Sequence, residues 1–268
     1  MTLAERVQTE QITEIEWLRE LESIRGDLAV PGYWTNLEEN CRQWAGEISV
    51  GPFWLRAKRE LQSWKAEYRS QCGGALLVGL ELPDFEGKGS VRISSKLYQK
   101  RLEKESFKEE VLPEEGPPIP KINDLVRTRI ACRYVDGVEF LGDKLFDLAK
   151  GMQCDPIRSR EGRLEGYFAQ HLNLSNDVLY RFGGTSEKAK ITVEIQIATG
   201  LSTTVWDTTH SIYEASREDK QSHENWQWDP KDPKFISNQL GHMIHLADGL
   251  LVQLRDAAIS QKGKRSQE

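Results

Sequence analysis

Ile191-Thr-Val-Glu-Ile-Gln-Ile197, followed directly by Ala-Thr-Gly-Leu-Ser-Thr-Thr-Val-Trp-Asp-Thr-Thr-His-Ser-Ile-Tyr213, is the stretch that decides the fold. Ile191, Val193, Ile195 and Ile197 recur at period two, which predicts a half-buried strand with Thr192, Glu194 and Gln196 on its opposite face. Glu194 is then a carboxylate displayed on a rigid sheet. Thr199-Gly200 ends the alternation. Leu201, Val205, Thr208 and Ile212 recur at helical spacing after it, with Trp206, His210 and Tyr213 on a neighbouring stripe. Taken alone, this strand, turn and helix are ordinary core, and a single glutamate on a polar strand face is usually solvated.

Composition bounds what surrounds this unit. A chain of 268 residues, 38% hydrophobic and 29% charged, is long enough for one sizeable core with helical additions. The net charge of −6 argues against a general nucleic-acid coat, whose non-specific binding comes from basic surface, while leaving room for a local basic site. No run approaches the ~18 apolar residues of a membrane span, and the first residues lack the apolar core of a signal peptide, so a cytoplasmic protein with no membrane partner is expected. Cys41, Cys72, Cys132 and Cys154 are scattered without zinc-site spacing and read as reduced, mostly buried thiols.

Upstream, residues 7–25 read as amphipathic helix, as do 36–48 and Phe53 to Gln71. Trp17, Trp34, Trp44, Trp54 and Trp64 fall in this part, and packing is the reading for all five. Ala75 to Leu82 predicts a strand. Lys88 to Ser95 predicts another that leads into a helix, with Arg92, Lys96, Lys100 and Lys104 four apart and able to share one face. Glu103 to Pro120 is an acidic surface loop. Within Lys121 to Val135, Val126, Thr128, Ile130, Cys132 and Tyr134 alternate with Arg127, Arg129 and Arg133. Arginines two apart on a strand stand ~7 Å from each other and grip phosphate oxygens, unless carboxylates of a neighbouring element neutralise them.

Further on, Phe140 to Lys150 predicts a helix and Arg158 to Arg163 a basic loop. Strands near Leu172–Leu174 and Val178–Phe182 precede a Gly183-Gly184 hairpin turn. A final helix spans about Phe235 to Ala258, with Leu240, Ile244, Ala247, Leu251 and Leu254 as its core stripe and His242 and His245 as packing histidines. Ser260 to Glu268 reads as a disordered tail.

Three separated motifs carry a resemblance. Val193-Glu-Ile-Gln-Ile-x-Thr199, with Trp and then Thr-His on the next helix, is similar to the Glu-Ile-Gln-Ile-Arg-Thr motif of the synthetase domain of the RelA/SpoT family, which makes pppGpp and ppGpp. Asp124 to Tyr134 resembles that family's Asp-Leu-x-x-x-Arg-x-x-x-Arg-Tyr. Arg163 to His171 resembles its Lys-x-Asn-Gly-Tyr-Arg-Ser-x-His in Gly166, Tyr167 and His171. The resemblance covers roughly residues 90–214. Departures stand at Ala198, where the family has Arg, at Glu165, Phe168 and Ala169, and at Ser94, which takes the Lys position of an Arg-x-Lys-Ser segment whose Arg is matched by Arg92.

The resemblance implies an α/β fold, a nucleotidyltransferase-like mixed β-sheet flanked by helices. The chain's own texture sets a core over residues 73–214, with an N-terminal helical region (1–72) and a C-terminal helical region with a disordered tail (215–268). The resemblance also implies a pyrophosphokinase that moves the β,γ-diphosphate of ATP to the 3′-hydroxyl of a guanosine or adenosine nucleotide. Asp124 and Glu194 would be the catalytic carboxylates and Mg²⁺ ligands, with Glu194 as base. Arg92, Lys96, Lys100, Arg129 and Arg163 would hold the ATP phosphates; Tyr167 would stack on the acceptor base, with His171 and Gln196 beside it. No His-Asp dipeptide occurs, so no hydrolase activity is expected, and the chain reads as a stand-alone small synthetase, a class that includes toxins. ATP and GDP, GTP or another nucleotide are the implied partners, and tRNA, an antitoxin or further copies of the chain are candidates. Two alternatives stay open: a toxin of the same fold that pyrophosphorylates the 3′ end of tRNA, and a non-catalytic nucleotide-binding module.

Overall fold

In the computed structural model the described residues are 32–103, 116–162, 166–218 and 226–265, with Gly26, Val30 and Pro113. Helix α1 spans Tyr33–Ser49 and α2 Pro52–Cys72; the short strand β1 (Glu86–Gly87) leads into α3 (Ser90–Glu103). There follow β2 (Val126–Cys132), α4 (Val135–Gly151), β3 (Ile157–Gly162), β4 (Phe168–Phe182), β5 (Thr185–Thr199), α5 (Gly200–Glu218), a short 3₁₀ turn and α6 (Pro233–Arg265). The five strands form one sheet in the order β1-β2-β5-β4-β3, an α/β arrangement with helices flanking a mixed sheet.

The decisive strand is β5, at the centre of that order. Its outer half is exposed, but every residue from Val193 to Thr199 is buried. A central strand in a layered α/β fold is covered on both faces. The polar face expected in solvent is therefore inside, with Glu194 and Gln196 each 8% exposed. Gly183 and Gly184, at φ 56° and 82°, close the hairpin between β4 and β5; this is the two-residue turn whose left-handed conformation suits glycine. The two short strands expected before that turn are one continuous strand, β4, of 15 residues.

The chain divides into two compact units, and each draws on more than one of the three segments expected from sequence. The first comprises residues 1–49, 85–127 and 175–193. Its core holds Tyr33, Leu37, Cys41, Trp44, Ile93 and Leu97, all fully buried. Trp44 donates its indole N–H to the Leu179 carbonyl at 2.9 Å, and Asn40 both donates to the Arg181 carbonyl and accepts its amide N–H, each at 2.9 Å. The second unit comprises 50–84, 128–174 and 194–268. There α2 buries Trp54, Leu61 and Tyr68, and Arg255 of α6 grips Asp136 of α4 through both carboxylate oxygens while also donating to the Tyr68 hydroxyl. Trp34 is half-buried, and Trp17, with the helix expected over 7–25, lies outside the described residues.

Several expectations give way. Residues 75–82 make a single bridge, Leu77 to Cys132, rather than a strand. Leu76 and Leu82 are buried while Val78 and Leu80 are exposed, so beyond that bridge the apolar residues anchor a coil. Residues 90–95 are helical, not extended. Glu38 of α1 accepts from the Ser90 N–H at 2.9 Å and from its hydroxyl at 2.7 Å, and a carboxylate at that end satisfies the first-turn donors and the helix dipole. Residues 157–162 are strand β3, paired antiparallel with β4 from Ile157↔Asn173 to Gly162↔Phe168. Its Arg158 and Arg160 bind Glu139, and Arg158 also binds Asp143. Helix α3 runs to Glu103, and most of the acidic stretch after it lies outside the described residues. Helix α6 continues to Arg265, through six residues of the expected tail. Its Leu240, Leu251 and Leu254 face outward, so the expected core stripe is not the buried one. All four cysteines are free; Cys41 and Cys132 are buried, Cys72 and Cys154 half-buried.

Candidate active site

Among the described residues, the polar side chains singled out by sequence gather in two constellations, one in each unit. The first centres on Asp124, two residues before β2 and 6% exposed. Lys88 Nζ meets its Oδ2 at 2.6 Å and Lys96 Nζ meets its Oδ1 at 2.6 Å. Burial alone would raise the carboxyl's pKa; the two ammonium groups more than offset that and hold it at about 2. Lys88 shows the opposite balance, since burial lowers its pKa more than Asp124 restores it. Asp124 is thus an ionised hard-oxygen donor between two cations.

That donor chemistry fits Mg²⁺, which binds proteins through one or two carboxylates and takes other ligands from substrate phosphates. Among the described residues no group of three or more His, Cys, Asp or Glu forms a protein-only metal cage. Lys96 lies on the same helix as Arg92, which is exposed, and Lys100, which is half-buried; Lys104 lies outside the described residues. Ser94 sits mid-helix. The lysine that reaches Asp124 from just past β1 is Lys88, at the first residue of the stretch expected as strand. Sequence gave no reason to single it out, because the turn that aims it appears only once α3 begins at Ser90.

The second constellation is a hydrogen-bonded chain on β2, β4 and β5. The Tyr167 hydroxyl lies 2.9 Å from His171 Nε2, and His171 Nδ1 lies 3.0 Å from Glu194 Oε1. Gln196 Nε2 donates to Glu194 Oε2 at 2.6 Å, and Arg129 Nε donates to Gln196 Oε1 at 3.3 Å. Arg129 Nη1 also pairs with Asp207 of α5 at 2.5 Å. Glu194 and Gln196 are two apart and share a face of β5, while β2 and β4 are its neighbours in the sheet, so one layer collects all four strand residues. The chain sets the proton positions. A carboxylate only accepts, so Nδ1 of a neutral His171 carries the proton and Nε2 accepts from Tyr167.

Tyr167 continues this layer into a pocket lined with Trp206, Ser202, Thr209, Ser237 and Asn238. Its ring packs against Trp206 at 4.5 Å between centroids. Gly166 makes the approach possible. It has φ 74°, and a Cβ there would meet the Asn238 carbonyl at 2.6 Å and the Gly241 Cα at 2.9 Å. Phe168, where the resemblance expects arginine, is stacked on His245 at 3.7 Å with His242 against its edge. Ala198 is buried, and Arg163 lies outside the described residues. Asp207 and Asn238 were not singled out by sequence: each sits on a helix whose periodicity spoke only of packing.

No protein-family model matches the chain, and no curated protein matches it. Solved structures do. The chain is similar to small alarmone synthetases. Small alarmone synthetase 1 from Bacillus subtilis, in a structure bound to its product pppGpp, is 16% identical with a TM-score of 0.45 over 81% of this chain and 98% of that one. In another structure of the same protein the values are 18% and 0.46, over 88% and 98%. A GTP pyrophosphokinase family protein from Streptococcus pneumoniae is 17% identical with a TM-score of 0.48, over 84% and 94%.

Proposed function

We propose that the protein is a pyrophosphokinase that transfers the β,γ-diphosphate of ATP to the 3′-hydroxyl of a purine nucleotide, with no hydrolase activity. The observation that carries this reading is the held carboxylate of Glu194, buried at 8% exposure with both oxygens engaged by side chains that fix its direction.

In this reading Glu194 takes the proton from the acceptor's 3′-hydroxyl as that oxygen attacks the β-phosphorus. The bond from the β-phosphorus to the bridging oxygen breaks, and AMP leaves carrying that oxygen. His171 and Gln196 keep the carboxylate in place through the step. Lys88 and Lys96 exchange part of their hold on Asp124 for phosphate oxygens and balance charge on the diphosphate. Asp124 would hold Mg²⁺, which when bound supplies Lewis-acid charge to the phosphates. The Tyr167 pocket takes the acceptor base, with Ser and Asn side chains as hydrogen-bonding groups beside three aromatic side chains.

The acceptor is tested by incubating the purified protein with labelled ATP and, separately, GDP, GTP, ATP and deacylated tRNA, and resolving the products. A 3′-diphosphorylated nucleotide is expected; labelling of tRNA alone would move the assignment to the tRNA-modifying reading. That second reading draws on Ala198 and Phe168, which stand where the resembled motifs carry arginine; Phe168 is stacked on His245. ATP binding without any transfer would support a non-catalytic module.

A further inference from the structure

Asp248 of α6 is a carboxylate at 1% exposure that neither the Asp124 cluster nor the Glu194 layer uses. Its Oδ2 accepts from the Thr199 hydroxyl and, at 3.3 Å, from the Ser202 hydroxyl. Its Oδ1 has no hydrogen-bond partner among the described residues. Burial raises the carboxyl's pKa above its ordinary value, and the two hydroxyls draw it back. A half-satisfied buried carboxylate is costly, and a leucine of similar size carries no such cost, so packing alone does not account for it.

What it holds is the start of α5. Thr199, the last residue of β5, caps this helix: its Oγ1 accepts the Ser202 N–H at 3.1 Å while its own proton goes to Asp248. Ser202, Val205, Trp206 and Thr209 share one face of α5 and line the Tyr167 pocket. All of them lie with Tyr167 and Asp248 in the second unit. The three hydroxyls of the pocket have a feature in common. Ser202 donates to Asp248, Thr209 to the Val205 carbonyl at 2.9 Å, and Ser237 to the Lys234 carbonyl at 3.1 Å. A hydroxyl has one proton and two lone pairs, so each is left able only to accept from an occupant. Thr209 and Ser237 are held by backbone of their own helices, whereas Ser202 depends on the Asp248 side chain.

We propose that Asp248 is a positioning residue for the acceptor pocket: it takes the Ser202 proton, so that this hydroxyl accepts a hydrogen bond from the bound nucleotide, and it pins the cap that sets the rotation of α5. The inference rests on the reading of the Tyr167 pocket as the acceptor site. The group that meets Ser202 is then a donor, an amino or ring N–H of the base. Without Asp248 the Ser202 hydroxyl is free to turn, and the pocket loses a fixed acceptor together with one tie on the wall that carries Trp206.

Calorimetric titration of the full chain with GDP and, separately, with ADP tests this, using whichever nucleotide binds more weakly to the Tyr167→Ala variant; if neither does, the inference is overturned. Asp248→Leu is expected to weaken that binding roughly two- to tenfold, the worth of one hydrogen bond. Asp248→Asn, whose carboxamide oxygen still takes both protons, should bind as the wild type does. Ser202→Ala should match Asp248→Leu, and the double variant should be little weaker than either single one. If Asp248→Leu melts without cooperativity, Ser202→Ala carries the test. A folded Asp248→Leu or Ser202→Ala variant that binds as the wild type does, or a double variant that loses the full product of the two factors, would overturn the proposal. Transfer from ATP is measured beside binding: its absence in a wild type that shows this binding pattern counts against the proposed reaction and leaves the role of Asp248 standing.

Discussion

His171 Nδ1 stands 3.0 Å from Glu194 Oε1 while its Nε2 meets the Tyr167 hydroxyl at 2.9 Å. The imidazole is therefore used up on both sides by protein groups. It positions the base, and through Tyr167 it links the base to the acceptor pocket.

Glu194→Gln keeps the shape of the side chain and removes the proton acceptor. A loss of about 10²–10⁴-fold in kcat is expected, the usual contribution of general base catalysis, with KM for ATP nearly unchanged. His171→Gln should lower kcat by less, since Glu194 keeps its bond from Gln196. Steady-state kinetics on the two variants check the order, and a His171 variant as impaired as the Glu194 variant would contradict a positioning role.

Tyr167→Ala should raise the acceptor's KM by roughly tenfold or more, from ~1–3 kcal/mol of stacking, with a smaller change in KM for ATP. Tyr167→Phe keeps the ring and loses the bond to His171, so a cost of about 0.5–1.5 kcal/mol should appear in kcat rather than in the acceptor's KM. Saturation curves for both substrates separate the two effects. A Phe variant indistinguishable from the wild type would show that the hydroxyl does not reach the base.

Gly166→Ala places a Cβ at φ 74° against the Asn238 carbonyl and Gly241. The strained backbone alone costs on the order of 1–3 kcal/mol, and the loop must move to relieve the contact. Thermal melting should fall and the acceptor's KM should rise together. A variant with an unchanged melting temperature would mean that this approach is looser than the geometry describes.

Asp124→Ala leaves the Lys88 ammonium, 11% exposed, without its carboxylate. Breaking such a buried pair costs roughly 3–5 kcal/mol, and Asp124→Ala/Lys88→Met should regain part of it. Denaturant unfolding of the two variants gives the comparison. A double variant no more stable than the single one would argue against a pair held by charge.

The same pair fixes the acid limb of stability. Asp124 titrates at about 2 when folded against an ordinary 3.8, so its stabilisation is whole above pH 3.8 and is lost as pH falls towards 2. The difference is worth on the order of 2 kcal/mol. Asp124→Asn should flatten the loss of stability across that window; an acid unfolding profile unchanged by the substitution would exclude Asp124 as its source.

Much of the site layer was legible because strands announce their faces. Alternation around Glu194 put Gln196 beside it, and alternation around Arg129 put that arginine on the opposite side from Val126 and Ile130, as β2 shows. What alternation could not show is how deep a strand lies. β5 is central, so its polar face is as buried as its apolar one, a fact set by its neighbours in the sheet rather than by its own residues. Lys88 was missed because the cap that starts α3 comes from Glu38, 52 residues earlier. Helix α6 misled in the other direction: leucines at helical spacing read as core, while Ser237, Asn238 and Asp248 are among its buried residues and Arg255 is tied to Asp136.

The most direct test of the central claim is the fate of the adenosine moiety of ATP. With ATP labelled in the base, a purine nucleotide acceptor and Mg²⁺, the wild type is expected to release AMP in a one-to-one ratio with a 3′-diphosphorylated product, and Glu194→Gln is expected to release almost none. Release of ADP instead of AMP, or equal AMP release by the Glu194→Gln variant, would contradict it.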